Sequence, residues 1–211
     1  GASNTGVGYE ALKTNTTGAN NTAMGLCSLT TNTTNSNNTG FGFQSLKVTV
    51  GSNNTAVGRD AGGNNQGGNN GVFLGYTAGT DAVRNVTTGD NEIVIGNNSN
   101  SAAFIKIDWT VTSDLRDKTE IAEVPYGLNF VNQITPIKYK FKTSREDETP
   151  TGFTRFGFKA QEILALEGDN PILVNNEDTD NLKLTGAYLV PVLVNAIKEL
   201  KARIEVLENE W

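Results

Sequence analysis

With 211 residues, a net charge of −6, no histidine and one cysteine, the chain is limited in the chemistry it can perform. The missing histidine excludes Ser-His-Asp and Cys-His catalysis and imidazole metal ligands, and the single Cys27 excludes an internal disulfide and a cysteine-based zinc site. The acidic balance argues against nucleic acid as the main partner, and there is no apolar run of about 18 residues to span a membrane. We therefore expect no cofactor, no metal, no nucleic acid and no membrane insertion.

Composition changes sharply between Thr112 and Ser113. Before that bond lie 18 of the 23 glycines and 11 charged residues, whereas all five prolines and 29 charged residues follow it. A shift of this kind marks a change of structural class along the chain. We therefore place a domain boundary there, between residues 1–112 and 113–211.

The first region is a repeat array. A glycine closes each copy of a short motif such as N-T-A-M-G, with a period of 16 or 17 residues and a variant copy at 92–96; these glycines are Gly8, Gly25, Gly42, Gly58 and Gly75. A fixed period of this size is typical of a stacked architecture. Residues 1–112 are therefore predicted to form an all-β, repetitive fibre shaft or solenoid. Gly/Asn-rich disorder is the alternative, and the regular spacing of the apolar positions disfavours it.

Each motif alternates as a short β-strand does. We expect the residues three and one before the glycine to face inward, as Thr22 and Met24 would in the second copy. The small residue between them, Ala23, is expected to face the other side. Asn pairs such as Asn20-Asn21 precede the motifs, and they suit tight corners because Asn tolerates left-handed backbone. One turn of the coil has few apolar atoms, so the turns are expected to stack on each other and on neighbouring chains.

The second region is predicted to be a small α+β domain. Residues 137–142 alternate as a strand, and residues 155–167 indicate a strand running into a short helix. Residues 171–174 and 182–184 suggest two further strands. Residues 124–134 place apolar side chains at helical spacing.

A helix over residues 186–211 is predicted to end the chain. Its apolar side chains alternate spacings of three and four over about two heptads, at Ile197, Leu200, Ile204, Leu207 and Trp211. This pattern, flanked by Glu and Lys, is typical of a coiled coil, so we expect these residues to join chains. A core helix of a monomer is the alternative, because two heptads are a brief signal and a short helix needs partners of some kind.

Four segments of the second region carry a family resemblance: S-D-L-R-D-K-T-E-I at 113–121, I-K-Y-K-F at 137–141, F-G-F-K-A-Q-E at 156–162 and A-I-K-E-L at 196–200. In this order they resemble the intramolecular-chaperone auto-processing domain of many phage tail spikes and fibres. Endosialidase tailspikes carry that domain, and it also occurs in myelin regulatory factor. The repeat array in turn resembles the β-structured shafts of phage tail fibres and, more loosely, the head repeats of trimeric autotransporter adhesins.

The resemblance implies a homotrimer whose C-terminal domain guides folding of the shaft and then cuts itself off. The cut would fall between Thr112 and Ser113 in a single turnover, as in a self-cleaving serine peptidase. Ser113 would be the nucleophile and Lys118 the base of a serine–lysine dyad. Asp114 and Arg116 match motif positions and would have structural or orienting roles, which the sequence does not separate.

Physical chemistry supports such a dyad. A serine hydroxyl is a poor nucleophile until a base takes its proton, and in a chain without histidine a lysine is the natural base. Only the neutral amine can accept that proton, so the dyad requires an environment that disfavours the ammonium form, such as burial in an assembled trimer. Asp117 stands where the family more often has an apolar residue, and a carboxylate beside Lys118 would favour the charged ammonium and slow cleavage.

The expected function is therefore that of a phage tail fibre or spike, a virion component assembled in the host cytoplasm. Its shaft would bind a host cell-surface receptor, with glycans as one class of candidate. A non-cleaving trimeric adhesin is the alternative, in which Ser113 and Lys118 are inert. A glycan-degrading fibre is disfavoured, because glycosidases usually need two facing carboxylates and no acidic residue recurs at an inward position of the repeat.

Overall fold

The computed structural model describes residues 1–81 and 83–209. It separates into two units, Gly1–Ser101 and a second that begins at Ala102. The boundary predicted at 112/113 stays a prediction. Among the described residues, no helix combines the length and apolar character that a membrane span requires.

The first unit is a β-solenoid, as predicted. Each turn of the coil contributes one three-residue strand, and consecutive strands pair in parallel to form a single sheet in chain order. The register is that of the repeat, so that Thr5 pairs with Thr22 and Thr22 with Thr39. The strands are β1 (Thr5–Val7), β2 (Thr22–Met24), β3 (Thr39–Phe41), β4 (Thr55–Val57), β5 (Val72–Leu74) and β6 (Ile93–Ile95).

The predicted orientation of these strands is wrong. In β2 to β5 the central residue is buried and the last residue of the strand is exposed, so Ala23 faces the core and Met24 faces outward. The reason is the width of the coil. A Cβ atom built on Gly40, at the centre of β3, would lie 2.5 Å from the Ser28 Oγ of the opposite wall. Only a small residue fits there, so the larger side chains must point out of the coil.

Phe73, at the centre of β5, is the exception, and the chain compensates for its volume. In the earlier turns the opposite wall carries a buried leucine, such as Leu29 or Leu46. In the later turns glycine replaces that leucine. A Cβ atom on Gly62 would lie 2.7 Å from the Phe73 ring, and one on Gly79 would lie 2.5 Å from it. The large side chain thus lies in the wall of the earlier turns and in the strand at Phe73, so the core stays filled in both.

The Asn pairs form the corners, and the two members of each pair have different roles. The first member has a left-handed backbone, as predicted, with φ of 58° at Asn20 and 62° at Asn37. The second member is fully buried. Asn38 shows its role: its Oδ1 accepts the backbone N–H of Asn54 at 2.9 Å, and its Nδ2 donates to the Gly51 carbonyl at 2.8 Å. These amides join successive turns through otherwise unsatisfied buried groups.

The glycine after each strand is required by the stacking distance between turns. Gly25 has a φ of 138°, and a Cβ atom there would lie 2.3 Å from the carbonyl oxygen of Gly42 in the next turn. No other residue can adopt this backbone while approaching so closely. The period of 16 or 17 residues in the sequence is therefore the length of one turn of the coil.

The second unit is the predicted α+β fold. Strands β7 (Ile137–Lys142) and β8 (Pro150–Gly157) form an antiparallel hairpin, and β9 (Val174–Asn175) pairs antiparallel with β10 (Lys183–Leu184). The helices are α1 (Leu128–Gln133), α2 (Ala160–Glu167) and α3 (Leu189–Asn209). An apolar cluster forms the core of this unit, and it consists of Phe130, Ile163, Leu173, Val174, Leu189 and Val192.

Helix α3 has two differing halves. Its first half packs into the core through Leu189, Val192 and Ala196. Its second half exposes the predicted heptad residues within the single chain, by 44% at Leu200 and 64% at Ile197. The helix begins three residues later than predicted, because residues 186–188 form a 3-10 turn. A helix buried in a monomer core would hide these positions, and this one leaves them free.

Candidate functional site

A short 3-10 helix, Leu115–Asp117, organises the predicted processing motif. Asp114 caps it, since the Asp114 Oδ1 accepts the backbone N–H of Arg116 at 2.9 Å. The helix ends where the backbone N–H of Lys118 donates to the Leu115 carbonyl at 3.2 Å. One turn of this helix reverses the chain enough to bring the residues on its two sides together.

This turn brings Ser113 and Lys118 into direct contact. The Lys118 Nζ lies 2.8 Å from the Ser113 Oγ and also donates to the Ser113 carbonyl oxygen at 3.1 Å. The distance to the hydroxyl is that required between a nucleophile and its general base. The two residues that the sequence predicts as a dyad are therefore within proton-transfer distance, and both are exposed in the single chain.

Arg116 turns away from the dyad and pairs with Asp114. The Arg116 guanidinium lies 2.6 Å from the Asp114 carboxylate. Its hydrogen bonds, followed by the Arg116 backbone N–H, hold the pKa of Asp114 below its ordinary value, and the carboxylate raises the pKa of Arg116. Because the pKa of Asp114 is lowered on folding, the cap is intact at neutral pH and is lost only as the pH falls through that lowered value. In this conformation the pair stabilises the 3-10 turn.

Asp117 does not engage Lys118. Within the described residues it forms no ion pair with that lysine, whose Nζ contacts Ser113 instead. The backbone N–H of Asp117 donates to the Asp114 carbonyl at 3.2 Å, as part of the 3-10 turn. In this conformation the contact expected to slow cleavage is not formed.

Apolar side chains flank the dyad without being buried. Leu115 and Ile121 are each 68% exposed, and Trp109 and Val111, just before the predicted scissile bond, are 76% and 79% exposed. Large side chains usually lie inside a folded unit or under a partner. The site in one chain is consequently open to water, and a neighbouring surface would be needed to close it.

The predicted trimerisation residues lie on α3, apart from Trp211, which lies outside the described residues. Ile197, Leu200, Ile204 and Leu207 are all exposed in the single chain. They repeat along one face of the second half of the helix. They therefore form a continuous apolar edge available to another chain.

The sequence did not predict two carboxylates that fix this unit. The Glu199 Oε2 accepts the Leu128 N–H at 2.9 Å and so caps α1 from helix α3. Gly127 makes room for it, because a Cβ atom there would lie 1.8 Å from the Glu199 Oε1. Glu167 accepts three consecutive backbone N–H groups, of residues 172–174, at 2.8 to 3.0 Å. The Glu199 contact joins positions 71 apart, so no local pattern could have indicated it.

Comparison with known proteins supports the predicted family. Residues 113–169 match the family model described as chaperone of endosialidase, a peptidase family. No curated protein and no solved structure gave a significant match. The family match begins at Ser113, the first residue of the motif, and it covers three of the four segments, whereas the segment at 196–200 lies beyond it. It confirms the predicted resemblance to this family.

The match, over residues 113–169, and the β-solenoid together indicate a class of protein. A chaperone-of-endosialidase domain behind a solenoid shaft indicates an oligomeric phage tail fibre or spike, and hence a virion component. The peptidase class of the family indicates a self-cleaving serine peptidase-like domain.

Proposed function

We propose that this chain is the C-terminal region of a homotrimeric phage tail fibre or spike that cuts itself between Thr112 and Ser113. The observation that carries this proposal is the 2.8 Å contact between the Lys118 Nζ and the Ser113 Oγ. A contact of this length is expected of a serine–lysine dyad. In a non-cleaving adhesin, by contrast, the two side chains would be free to point apart.

The proposed reaction begins with neutral Lys118 taking the hydroxyl proton of Ser113. The Ser113 Oγ attacks the carbonyl carbon of Thr112, the peptide C–N bond breaks, and the proton passes to the Ser113 amine. The Thr112 acyl group is then joined to the Ser113 Oγ as an ester. Water hydrolyses this ester, which leaves a carboxylate on Thr112 and restores the hydroxyl. Residues 113–211 are released in one turnover.

Assembly is proposed to switch the dyad on. In the single chain the Lys118 Nζ is a hydrogen-bond donor to Ser113 and is exposed to water, whereas a base must accept a proton. Burial disfavours the ammonium form, and the exposed apolar side chains of Leu115 and Ile121 offer a surface that neighbouring chains can cover. Cleavage would then follow trimerisation, so a cleaved chain would be one that has already trimerised.

Trimerisation is proposed to begin with the second half of α3. Ile197, Leu200, Ile204 and Leu207 form its exposed edge, with Trp211 extending the same heptad pattern. Ile at a with Leu at d favours two strands in isolated peptides, so the number three rests on the family resemblance and the fibrous shaft. The assembled C-terminal domains would then act as the chaperone that sets three shafts in register.

The shaft is proposed to be the part that meets the host. It would remain on the virion after cleavage in the host cytoplasm and bind a cell-surface receptor, with a glycan as one candidate class. A rigid, repetitive β structure with exposed polar corners suits an extended attachment fibre.

A denaturing gel of purified protein tests the cleavage. Wild type is expected to give two bands, with Ser113 at the N-terminus of the smaller one. Ser113→Ala and Lys118→Arg should each leave only the full-length chain, the first because no nucleophile remains and the second because a guanidinium stays protonated. Matched controls are Thr119→Ala and Lys106→Arg, which change exposed neighbours of the same types and should be processed normally.

Two outcomes would refute the assignment. If Ser113→Ala is processed as fast as wild type, Ser113 is not the nucleophile. If the wild-type chain stays intact while assembled as a trimer, the protein is a non-cleaving adhesin.

A further inference from the structure

The solenoid carries an uninterrupted row of apolar side chains on its outer surface. The last residue of every strand contributes to it, and strand pairing stacks these residues in register from one turn to the next. Each is between 37% and 60% exposed in the single chain. We name this row the outer stripe, and it consists of Val7, Met24, Phe41, Val57, Leu74 and Ile95.

Over the first five turns, a second row beside the outer stripe is also apolar apart from one arginine. Its members, one residue beyond each strand glycine, include Tyr9, Phe43 and Tyr76. Arg59 lies in the same row, and its charge is accommodated there. Its guanidinium lies 5.3 Å from the Phe43 ring and 5.7 Å from the Tyr76 ring, and it pairs with Asp60 at 3.0 Å. The surface is thus suited to packing against another apolar surface.

The outer stripe has no role inside its own turn of the coil. The interior is already filled by the central strand residues and the opposite wall. Six large side chains that are about half exposed leave roughly 400 Å² of apolar surface, comparable to the largest apolar patch of a typical monomer, which is often functional. The stripe is therefore better explained by a partner than by the fold of one chain.

The spacing of the stripe indicates which partner fits. Neighbouring strands lie about 4.8 Å apart, so the apolar groups recur at this interval over six turns. A partner that covers the whole stripe must present apolar groups at the same interval. A second copy of this shaft has the same strand spacing, so it presents apolar groups at the same interval.

We propose that the outer stripe is the surface through which copies of the shaft pack side by side. This inference rests on the proposed homotrimer and specifies its geometry. The six strands of one chain already pair with one another as a complete sheet, so the proposal has each chain wind its own solenoid and the copies associate laterally. A slip by one whole turn would keep most of the stripe matched, so the C-terminal unit is needed to fix the register between copies.

Disulfide cross-linking of the full chain tests the stripe directly. In a Cys27→Ser background, Val57→Cys places one thiol on the stripe, and Thr34→Cys places one on an exposed turn between β2 and β3. Under mild oxidation at low protein concentration, Val57→Cys should link roughly two of every three chains into dimers, because three thiols around a three-fold axis form only one disulfide. Thr34→Cys should link few. Equal linking of the two variants would overturn the proposal.

Substitution by a charge gives a second, independent measurement. Val57→Glu places like charges against each other across the proposed interface while leaving the interior of the coil unchanged, and Thr34→Glu is its matched control. The Val57→Glu shaft released by cleavage of the full chain should keep its β-type circular dichroism and become monomeric by light scattering, whereas the released control shaft stays oligomeric. A Val57→Glu shaft that remains oligomeric would refute the stripe.

Different measurements test the self-cleavage proposal and the outer-stripe proposal. Release of residues 113–211 on a denaturing gel reports cleavage alone. Cross-linking at Val57 in a chain that never cleaves would support the stripe and refute the dyad. Normal cleavage without cross-linking at Val57 would support the dyad and refute the stripe.

Discussion

The two units of this protein differ in what they bury. In the described chain, every fully buried polar side chain lies in the solenoid, where Asn21, Asn38 and Asn54 sit alongside small apolar residues. The second unit instead buries an apolar cluster around Ile163 and Val192. A narrow coil has no room for a large apolar core, so amide hydrogen bonds between turns contribute to its stability. The C-terminal unit relies instead on its apolar cluster.

The near-identical turns of the solenoid make its strand register harder to fix during folding than the arrangement of the second unit. The turns of the solenoid are nearly identical, so pairing one step out of register loses little, and correct long-range pairing is slow. The C-terminal unit has unique contacts, such as the one between Glu199 and Leu128, which allow only one arrangement. A unit that folds unambiguously can therefore set the register for one that does not.

The largest expected effect comes from placing a charge on the exposed apolar edge of α3. Leu200→Asp should leave the second unit folded, because Leu200 is exposed in the single chain, and should abolish both oligomer formation and cleavage. Light scattering and a denaturing gel measure the two effects. Lys198→Asp changes the charge of an exposed residue outside the heptad stripe and should retain both. Cleavage by a monomeric Leu200→Asp chain would disprove that assembly switches on the dyad.

The next prediction concerns the stability that the buried asparagines give to the solenoid core. Asn38→Ala leaves the Asn54 N–H and the Gly51 carbonyl without partners, at about 1–3 kcal/mol for each, so the free energy of unfolding should fall by about 2–6 kcal/mol. Asn37→Gly preserves the left-handed corner and loses only two exposed amide contacts, with Asn20 and Asn53. Guanidinium unfolding of the uncleaved Ser113→Ala chain compares them, and equal midpoints would show that the buried amides contribute little.

A smaller effect tests the exchange of volume between Phe73 and the facing glycines. Gly62→Leu should destabilise the solenoid by about 1–3 kcal/mol through overpacking, because even a Cβ atom there lies 2.7 Å from Phe73. Combining it with Phe73→Ala recreates the pattern of the earlier turns, with Leu in the wall and Ala in the strand. The double variant should be more stable than Phe73→Ala alone. Simple additivity of the two changes would contradict the compensation.

The sequence was sufficient to predict the solenoid, its period and the α+β unit, because each follows from local spacing. The serine–lysine dyad was inferred from the family resemblance and stays a prediction. The serine and lysine of the dyad are only five positions apart, so one helical turn decides whether they meet. The facing of the strands was predicted wrongly, because alternation distinguishes two faces without saying which is inside. That depends on the width of the coil, which the approach of Ser28 to Gly40 reveals. The buried role of Asn38 and the cap from Glu199 depend on contacts between distant positions.

The most direct measurement compares two preparations of the shaft. One is residues 1–112 released by cleavage of the full chain, and the other is the same residues expressed alone. The proposed chaperone role predicts that the released shaft stays trimeric and resists SDS and heat through a high barrier to unfolding, whereas the separately expressed shaft misfolds or aggregates. Equal yields of native trimer from both would contradict it, because the shaft would then need no template.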